Sequence, residues 1–544
     1  MLPISRDYQS LYQQFEWVVP QRFNIGEAIS TRWAREKPDE TAIVYKQDDG
    51  QVKHVSFGEL DRLANRLANF LKTLGVEPGE RVAVVLPQIP ETAAAHIAIY
   101  KLGAIAVPMA MLFGADGLQY RLENSGAKAV FLSTASLGKL ASVRDKLPGL
   151  QTVICVDDGT GKDESVVNLY AELEKQGDGD ETFTCADTGP DDPALMIYTS
   201  GTTGPPKGAL HGHQVVLGHL PAVQFSHEFF PRDGDMMWTP SDWAWAGGLL
   251  NALLPALYCG VPVVAHKFEK FTADKAWQLL CEFPIRNVFI PPTALKMMRA
   301  VPVEQYREKL SLRTVISGGE AVGRQLQSWA GDELGLHINE VYGQTECNLV
   351  LGSCGELGVL KNGAIGKPMP GAQVAIVDDQ GCEVAQGEAG NIAVKRPHPV
   401  MFLEYWDKPQ ATAEKYIGDW LITGDQGLID EEGYFHFVGR DDDIITSSGY
   451  RIGPGEIEDC LIGHEAIKLA AVVGKPDELR TEIIVAFIVL SDGFAESDEL
   501  SDEIKTYVRT RLAAHEYPRE IVFRDNLPLT TTGKIIRRLL RDEF

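Results

Sequence analysis

From about Phe57 to Pro292 short apolar runs alternate with segments of helical period. Arg81-Val82-Ala83-Val84-Val85-Leu86 predicts a strand buried on both faces, and Glu91 to Leu102 follows as a helix stopped by Gly103. The strand signal returns from Ala129 to Ser133, Thr152 to Val156, Ala194 to Tyr198, Val261 to Ala265 and Asn287 to Ile290. Strands alternating with helices predict parallel sheets in a layered α/β fold, whose ligands sit at the carboxyl ends of the strands.

The pattern changes from about Gly366 to Gly439, where short alternating strands such as Gly390-Asn391-Ile392-Ala393-Val394 are separated by Gly and Asp turns. This predicts a small β-rich subdomain. The run Gly439-Arg440-Asp441-Asp442-Asp443 then interrupts the pattern. Beyond it the chain reads as helix (Gly455 to Gly463), strand (Leu469 to Val473), strand (Ile483 to Leu490) and helix (Leu500 to Ala514). The expected fold class is therefore α/β and α+β. A large N-terminal domain, 1–440, would hold layered α/β subdomains and the β-rich subdomain, and 441–544 would form a small α+β domain.

Length agrees, since 544 residues exceed what one core usually supports. Lys and Arg number 51 against 76 Asp and Glu, a formal charge of −25. That balance argues against a general nucleic-acid or membrane-surface role, so any anionic ligand must be held by local donors. The eight cysteines are scattered without a C-x-x-C pair, which disfavours zinc and dithiol sites and fits free thiols in a reducing cytoplasm. Met1 to Phe15 lacks a basic segment followed by an apolar stretch, and no apolar run is long enough to span a bilayer.

The chemistry is concentrated in two distant segments. Tyr198-Thr199-Ser200-Gly201-Thr202-Thr203-Gly204-Pro205-Pro206-Lys207-Gly208 follows a predicted strand at once. Its glycines let backbone approach a phosphate, successive N–H groups can form an anion nest, and four hydroxyls and a lysine add donors. The spacing is not that of the common P-loop. Without a ligand the same segment would be a polar turn, a reading its density of donors disfavours. The other segment, Pro528-Leu529-Thr530-Thr531-Thr532-Gly533-Lys534, presents a lone lysine on a turn near the chain end.

The first segment resembles the signature of the acyl-adenylate-forming enzymes, which comprise acyl-CoA synthetases, adenylation domains and beetle luciferases. Further segments match in order: Ser317-Gly318-Gly319-Glu320-Ala321, Tyr342-Gly343-Gln344-Thr345-Glu346, Thr423-Gly424-Asp425, Gly439-Arg440 through Gly449-Tyr450-Arg451-Ile452, and the terminal lysine segment. The resemblance covers nearly the whole chain and lies closest to short- and medium-chain acyl-CoA synthetases.

The resemblance implies roles for named residues. Thr199, Ser200, Gly201, Thr202, Thr203, Gly204 and Lys207 would cradle phosphate, and Gly319, Glu320 and Ala321 would contact adenine. Tyr342 would stack on the base beside Gly343 and Gln344, Thr345 would bond the α-phosphate, and Glu346 would hold Mg²⁺. Asp425 would accept both ribose hydroxyls, with Arg440 and Arg451 nearby, and Lys534 would stabilise the adenylation transition state. Asp442 would be the hinge of a mobile small domain, and Ser448 and Gly449, after Ser447, would line a pantetheine tunnel.

In acetate-specific relatives a tryptophan stands where this chain has Gly343, so an acid larger than acetate is expected. Trp243 or Trp245 would wall its pocket. The implied reaction consumes ATP and CoA with Mg²⁺ and makes acyl-CoA, AMP and pyrophosphate, with short- to medium-chain, even branched, fatty acids first and aryl acids second. Thr446 replaces a lysine that luciferases use, which disfavours oxygen chemistry. The terminal motif also implies control by a lysine acetyltransferase and deacetylase acting on Lys534. Other readings are a ligase that loads a carrier protein, disfavoured because no carrier domain follows Phe544, and a non-catalytic nucleotide-binding module, disfavoured by the pairing of Glu346 with Lys534.

Overall fold

The computed structural model describes residues 2–157, 165–199, 205–268, 270–440, 443–447, 450–477, 480–512, 516–530 and 534–544, with the side chains of Asp178, Tyr450 and Arg451 outside the description. Two large sheets form the N-terminal part. One has eight strands in the spatial order 404–405, 207–212, 193–199, 105–108, 81–85, 129–132, 152–155 and 166–168. The other has nine, in the order 367–368, 347–352, 338–344, 314–318, 287–289, 237–238, 263–266, 41–46 and 52–56. Their interiors are parallel, as strand–helix alternation dictates; both edges of the nine-stranded sheet and the 404–405 side of the eight-stranded one are antiparallel, while 166–168 joins 152–155 in parallel.

The helices between them show why these residues fold so. Phe57–Thr73 starts at Ser56, whose side chain accepts from the Glu59 amide while Glu59 reaches back. Its inner face carries Leu60, Ala64, Leu67, Ala68 and Leu71, all buried at helical spacing. Pro90–Leu102 begins with proline in its first position and ends where Gly103 adopts φ 74°.

A five-stranded sheet of 374–377, 390–395, 420–429, 416–417 and 435–440 is the β-rich unit. The C-terminal part has its own five-stranded sheet, in which Thr481–Leu490 pairs antiparallel with Ile467–Asp477 and parallel with Glu520–Phe523. Element ends shift from expectation by a residue or two at several places, and by more at two. The strand expected from Leu469 to Val473 runs Ile467–Asp477, because pairing carries it past the polar and glycine positions that end the apolar run. The helix expected to reach Ala514 ends at Arg509. There Thr510 Oγ1 donates back to the Thr506 and Tyr507 carbonyls, which helps terminate the helix.

Helix Pro454–Ile462 of the C-terminal part rests on the 319–325 segment of the large part. Asp459 lies against Gly323, and Gln325 Nε2 lies 2.7 Å from where a Cβ on Gly463 would sit. This docking decides which residues share the cleft.

Candidate active site

The phosphate segment spans a hairpin: strand Pro193–Thr199 runs up, Lys207–Gly212 runs down, and Thr199 faces Lys207 in register. Gly208 is closely packed: a Cβ there would stand 2.8 Å from Met196 Sδ, so any side chain would displace that methionine. The expected ligands Ser200, Gly201, Thr202, Thr203 and Gly204 lie outside the described residues, as do Asp442, Ser448 and Gly449; Arg451 is placed only by its backbone, opposite Thr446.

The other motif residues converge at strand ends. Strand Thr314–Gly318 ends at Gly319, which needs φ 92°, and delivers Glu320 and Ala321 to the cleft edge. Thr293 Oγ1 donates to Glu320 at 2.9 Å. In the adjacent strand Ile338–Gln344, the Tyr342 hydroxyl donates to Asp425 Oδ2 at 2.6 Å. Arg440, directly opposite Asp425 in the β-rich sheet, approaches its Oδ1 at 3.6 Å. Burial pushes the Asp425 carboxyl up, and Arg440, the Tyr342 hydroxyl, Lys415 and Lys534 oppose that rise. Such an acceptor, held between a hydroxyl and cations, suits a ribose diol.

Lys534 enters this cluster from the C-terminal part. Its turn is closed by Thr530 N bonding to Lys534 O (2.7 Å), Lys534 N to Thr530 Oγ1 (3.0 Å) and Ile536 N to Pro528 O (2.8 Å). The ammonium lies 3.7 Å from the point where a Cβ on Gly319 would sit. Lys534 remains accessible from the cleft, yet the surrounding protein lowers its pKa by desolvation. Glu320 and Asp425 work against that fall and Arg440 adds to it.

Glu346 is buried at the turn before strand Cys347–Gly352. Its carboxylate accepts a short hydrogen bond from Tyr405, and its carbonyl accepts from Phe402 N at 2.9 Å. A lone carboxylate with oxygen to spare fits Mg²⁺, which usually takes one or two carboxylates and completes its shell with phosphate and water. Among the described residues no three His, Cys, Asp or Glu converge as a metal cage.

Two expectations about the acyl region are corrected. Trp243 is fully buried in the core and presents no accessible surface, so it walls no pocket. Trp245 stays half-buried, edge-on to Phe113 with ring centroids 5.7 Å apart. Gly343 does not simply leave volume. A Cβ there would collide with Leu349 N and stand 2.7 Å from Asn348 Cα, so glycine is what lets strand Cys347–Gly352 pack close. Gly343→Ala is expected to cost about 1–3 kcal/mol by overpacking. Denaturant titration checks this, and an unchanged midpoint would mean that the hairpin yields freely.

Sequence reasoning missed two participants. Lys415 donates to Gln344 Oε1 at 3.1 Å and to the Thr423 carbonyl at 3.3 Å, while Gln344 Nε2 donates to the same carbonyl at 3.0 Å. It thereby ties the Tyr342–Glu346 motif to the Thr423–Asp425 motif. Tyr405 is the other. Neither lies in a phosphate-like or glycine-rich segment; strand pairing alone brings them in.

Motif residues gathered at the carboxyl ends of parallel strands, with a lysine from the small C-terminal part beside them, fit an adenylate-forming ligase. The comparisons agree. The chain belongs to the AMP-binding enzyme family: the model for AMP-binding enzymes matches residues 30–406, and that for the AMP-binding enzyme C-terminal domain matches 456–534.

A human mitochondrial acyl-coenzyme A synthetase, ACSM4, is 34% identical over 539 residues, covering 96% of this chain and 91% of its own. The acetyl-coenzyme A synthetase of Bacillus subtilis (strain 168) is 34% identical over 551 residues, covering 98% and 95%. Among solved structures, the anthranilate CoA ligase AuaEII with anthranoyl-AMP superposes with TM-score 0.88 at 28% identity over 96% of this chain and 98% of its own. A benzoate CoA ligase from Burkholderia xenovorans LB400 gives TM-score 0.84 at 29% identity over 95% and 100%. The chain is thus an AMP-forming acid–thiol ligase of the acyl-CoA synthetase kind. Mitochondrial and bacterial relatives match alike, so kinship assigns no compartment. No helix among the described residues is long and apolar enough to cross a membrane.

Proposed function

We propose that the enzyme activates a short- to medium-chain acid larger than acetate and passes the acyl group to CoA. The observation that carries the first step is Lys534 held beside Gly319, where Glu320 and Asp425 oppose the desolvation that lowers its pKa. An acid carboxylate oxygen attacks the α-phosphorus of ATP, the bond to the bridging oxygen breaks, and pyrophosphate leaves with that electron pair. Little covalent chemistry falls to the protein, so positioning and charge stabilisation dominate. Lys534 neutralises charge between carboxylate and bridging oxygen, Thr345 and the phosphate segment hold the phosphates, and Glu346 would hold Mg²⁺, which supplies further neutralisation. Asp425 holds the ribose.

In the second step the CoA thiolate attacks the acyl carbonyl and AMP leaves. For this the small domain swings about Asp442 and presents Ser448 and Gly449 to the thiol arm. Acetylation of Lys534 by an acetyltransferase, reversed by a deacetylase, would remove the charge that adenylation uses.

Aryl acids are the second reading, favoured by the likeness to the anthranilate and benzoate ligases. The test is pyrophosphate release across acids from acetate to dodecanoate plus isobutyrate, 2-methylbutyrate, benzoate and anthranilate, with and without CoA. A CoA-stimulated optimum on an aliphatic acid above acetate is expected. An optimum on acetate overturns the size reading, and one on benzoate or anthranilate selects the aryl class.

A further inference from the structure

Glu346 does not stand alone. Residues 402–406 return from the β-rich unit and seat Glu404–Tyr405 as an edge strand on Lys207–Gly212, with Tyr405 opposite Ala209. Leu403 N bonds to Leu210 O at 2.6 Å and Trp406 N to Gly208 O at 2.7 Å. The same segment grips Glu346 twice, by Phe402 N on its carbonyl and by the Tyr405 hydroxyl on its carboxylate Oε1. Tyr405 is 4% exposed, and its ring packs on Phe402, centroid to centroid 4.8 Å. The Lys207 ammonium lies 5.0 Å from the ring centroid. One side chain thus touches both the lysine that ends the phosphate segment and the acid of the Tyr342–Glu346 motif.

We propose that Tyr405 is a positioning residue that orients the Glu346 carboxylate for Mg²⁺ bound with ATP, a reading that rests on Glu346 being the magnesium ligand. A carboxylate on a turn can rotate, and each rotamer offers its oxygens to a different point. The Tyr405 hydroxyl fixes one oxygen and leaves Oε2 to face the ion. Lys207 over the ring pairs with the electron-rich face, which orders Tyr405 and Lys207 together before nucleotide arrives. Partners that orient a metal ligand typically change metal affinity about 10- to 100-fold when removed.

The experiment compares wild type, Tyr405→Phe and Glu346→Gln. ATP binding is measured by calorimetry with Mg²⁺ and with EDTA, and ATP–pyrophosphate exchange is followed against free Mg²⁺. Tyr405→Phe is expected to raise the Mg²⁺ needed for half-maximal exchange about 10-fold. It should shrink the affinity that Mg²⁺ adds to ATP while leaving ATP affinity in EDTA within about 2-fold of wild type. If Tyr405→Phe lowers the melting temperature and weakens ATP equally with and without Mg²⁺, its role is structural and the proposal is overturned. If Glu346→Gln shifts the Mg²⁺ dependence and Tyr405→Phe does not, the proposal is overturned while the magnesium reading stands. If Glu346→Gln leaves that dependence untouched, the magnesium reading itself fails.

Discussion

Lys534→Ala is expected to slow acyl-AMP formation by about 100- to 1000-fold, the usual cost of removing a positioned charge-stabilising group. Thioester formation from supplied acyl-AMP should stay within about 3-fold of wild type, because the leaving pyrophosphate that Lys534 serves takes no part in the second step and the proposed swing of the small domain carries Lys534 away from it. The geometry makes the effect large. Lys534 opens onto the cleft, where bound nucleotide and acid would cover it, and Glu320 and Asp425 are placed to keep it protonated against the desolvation and the Arg440 charge that lower its pKa. For the same reason adenylation should decline on the alkaline side below the pH at which a free lysine deprotonates. Pyrophosphate release and thioester formation, assayed separately, decide the matter; equal loss in both would remove Lys534 from the adenylation site.

Local pattern carried much of this architecture. The strand at Arg81–Val85 and the helix stopped by Gly103 were legible because burial on both faces and a left-handed glycine leave plain marks in sequence. The convergence of Tyr342, Asp425, Arg440 and Lys534 was legible only through the resemblance, which assigns all four to one nucleotide; taken singly, their segments read as a turn, a surface arginine and a basic tail. What escaped depends on long-range pairing. Tyr405 reaches Glu346 only because an edge strand from far along the chain joins Lys207–Gly212. Lys415 looks like one more charged residue until Gln344 and Thr423 meet it. Gly343 misled for a related reason. An absent side chain says nothing of its direction, and here that direction leads into the backbone of Asn348 and Leu349. Trp243 and Trp245 are alike in sequence, and only packing sends one to the core.

The domain interface holds an ionisable group that no motif announces. Glu340→Gln is expected to stabilise the protein at pH 8 by about 1–3 kcal/mol and to make little difference near pH 5. Glu340 is buried, 9% exposed, in the strand that leads to Tyr342, and accepts from the Val322 amide at 3.3 Å. Burial pushes its carboxyl from 4.5 up to about 8; the Val322 amide opposes this, and Asp459, brought over by helix Pro454–Ile462, adds to it.

A carboxyl that titrates higher when folded binds its proton more tightly in the native state. Its contribution to stability is therefore fully present below about pH 4.5, is lost as pH rises toward 8, and changes no further above that. The full shift would correspond to about 5 kcal/mol, a ceiling that local relaxation and water entry reduce. Glutamine keeps the shape of the protonated acid and cannot ionise, so the urea midpoint of the wild type should fall relative to that of the variant as pH rises from 5 to 9.

The coupling reaches function through Asp459. When the small domain leaves, the like charge leaves with it, so ionising Glu340 disfavours the docked pose that places Lys534 beside Gly319. Glu340→Gln should therefore extend adenylation, measured as ATP–pyrophosphate exchange, toward alkaline pH relative to wild type. Parallel urea curves for the two proteins would mean that the Glu340 carboxylate is solvated in place and that Asp459 docks without regard to its charge.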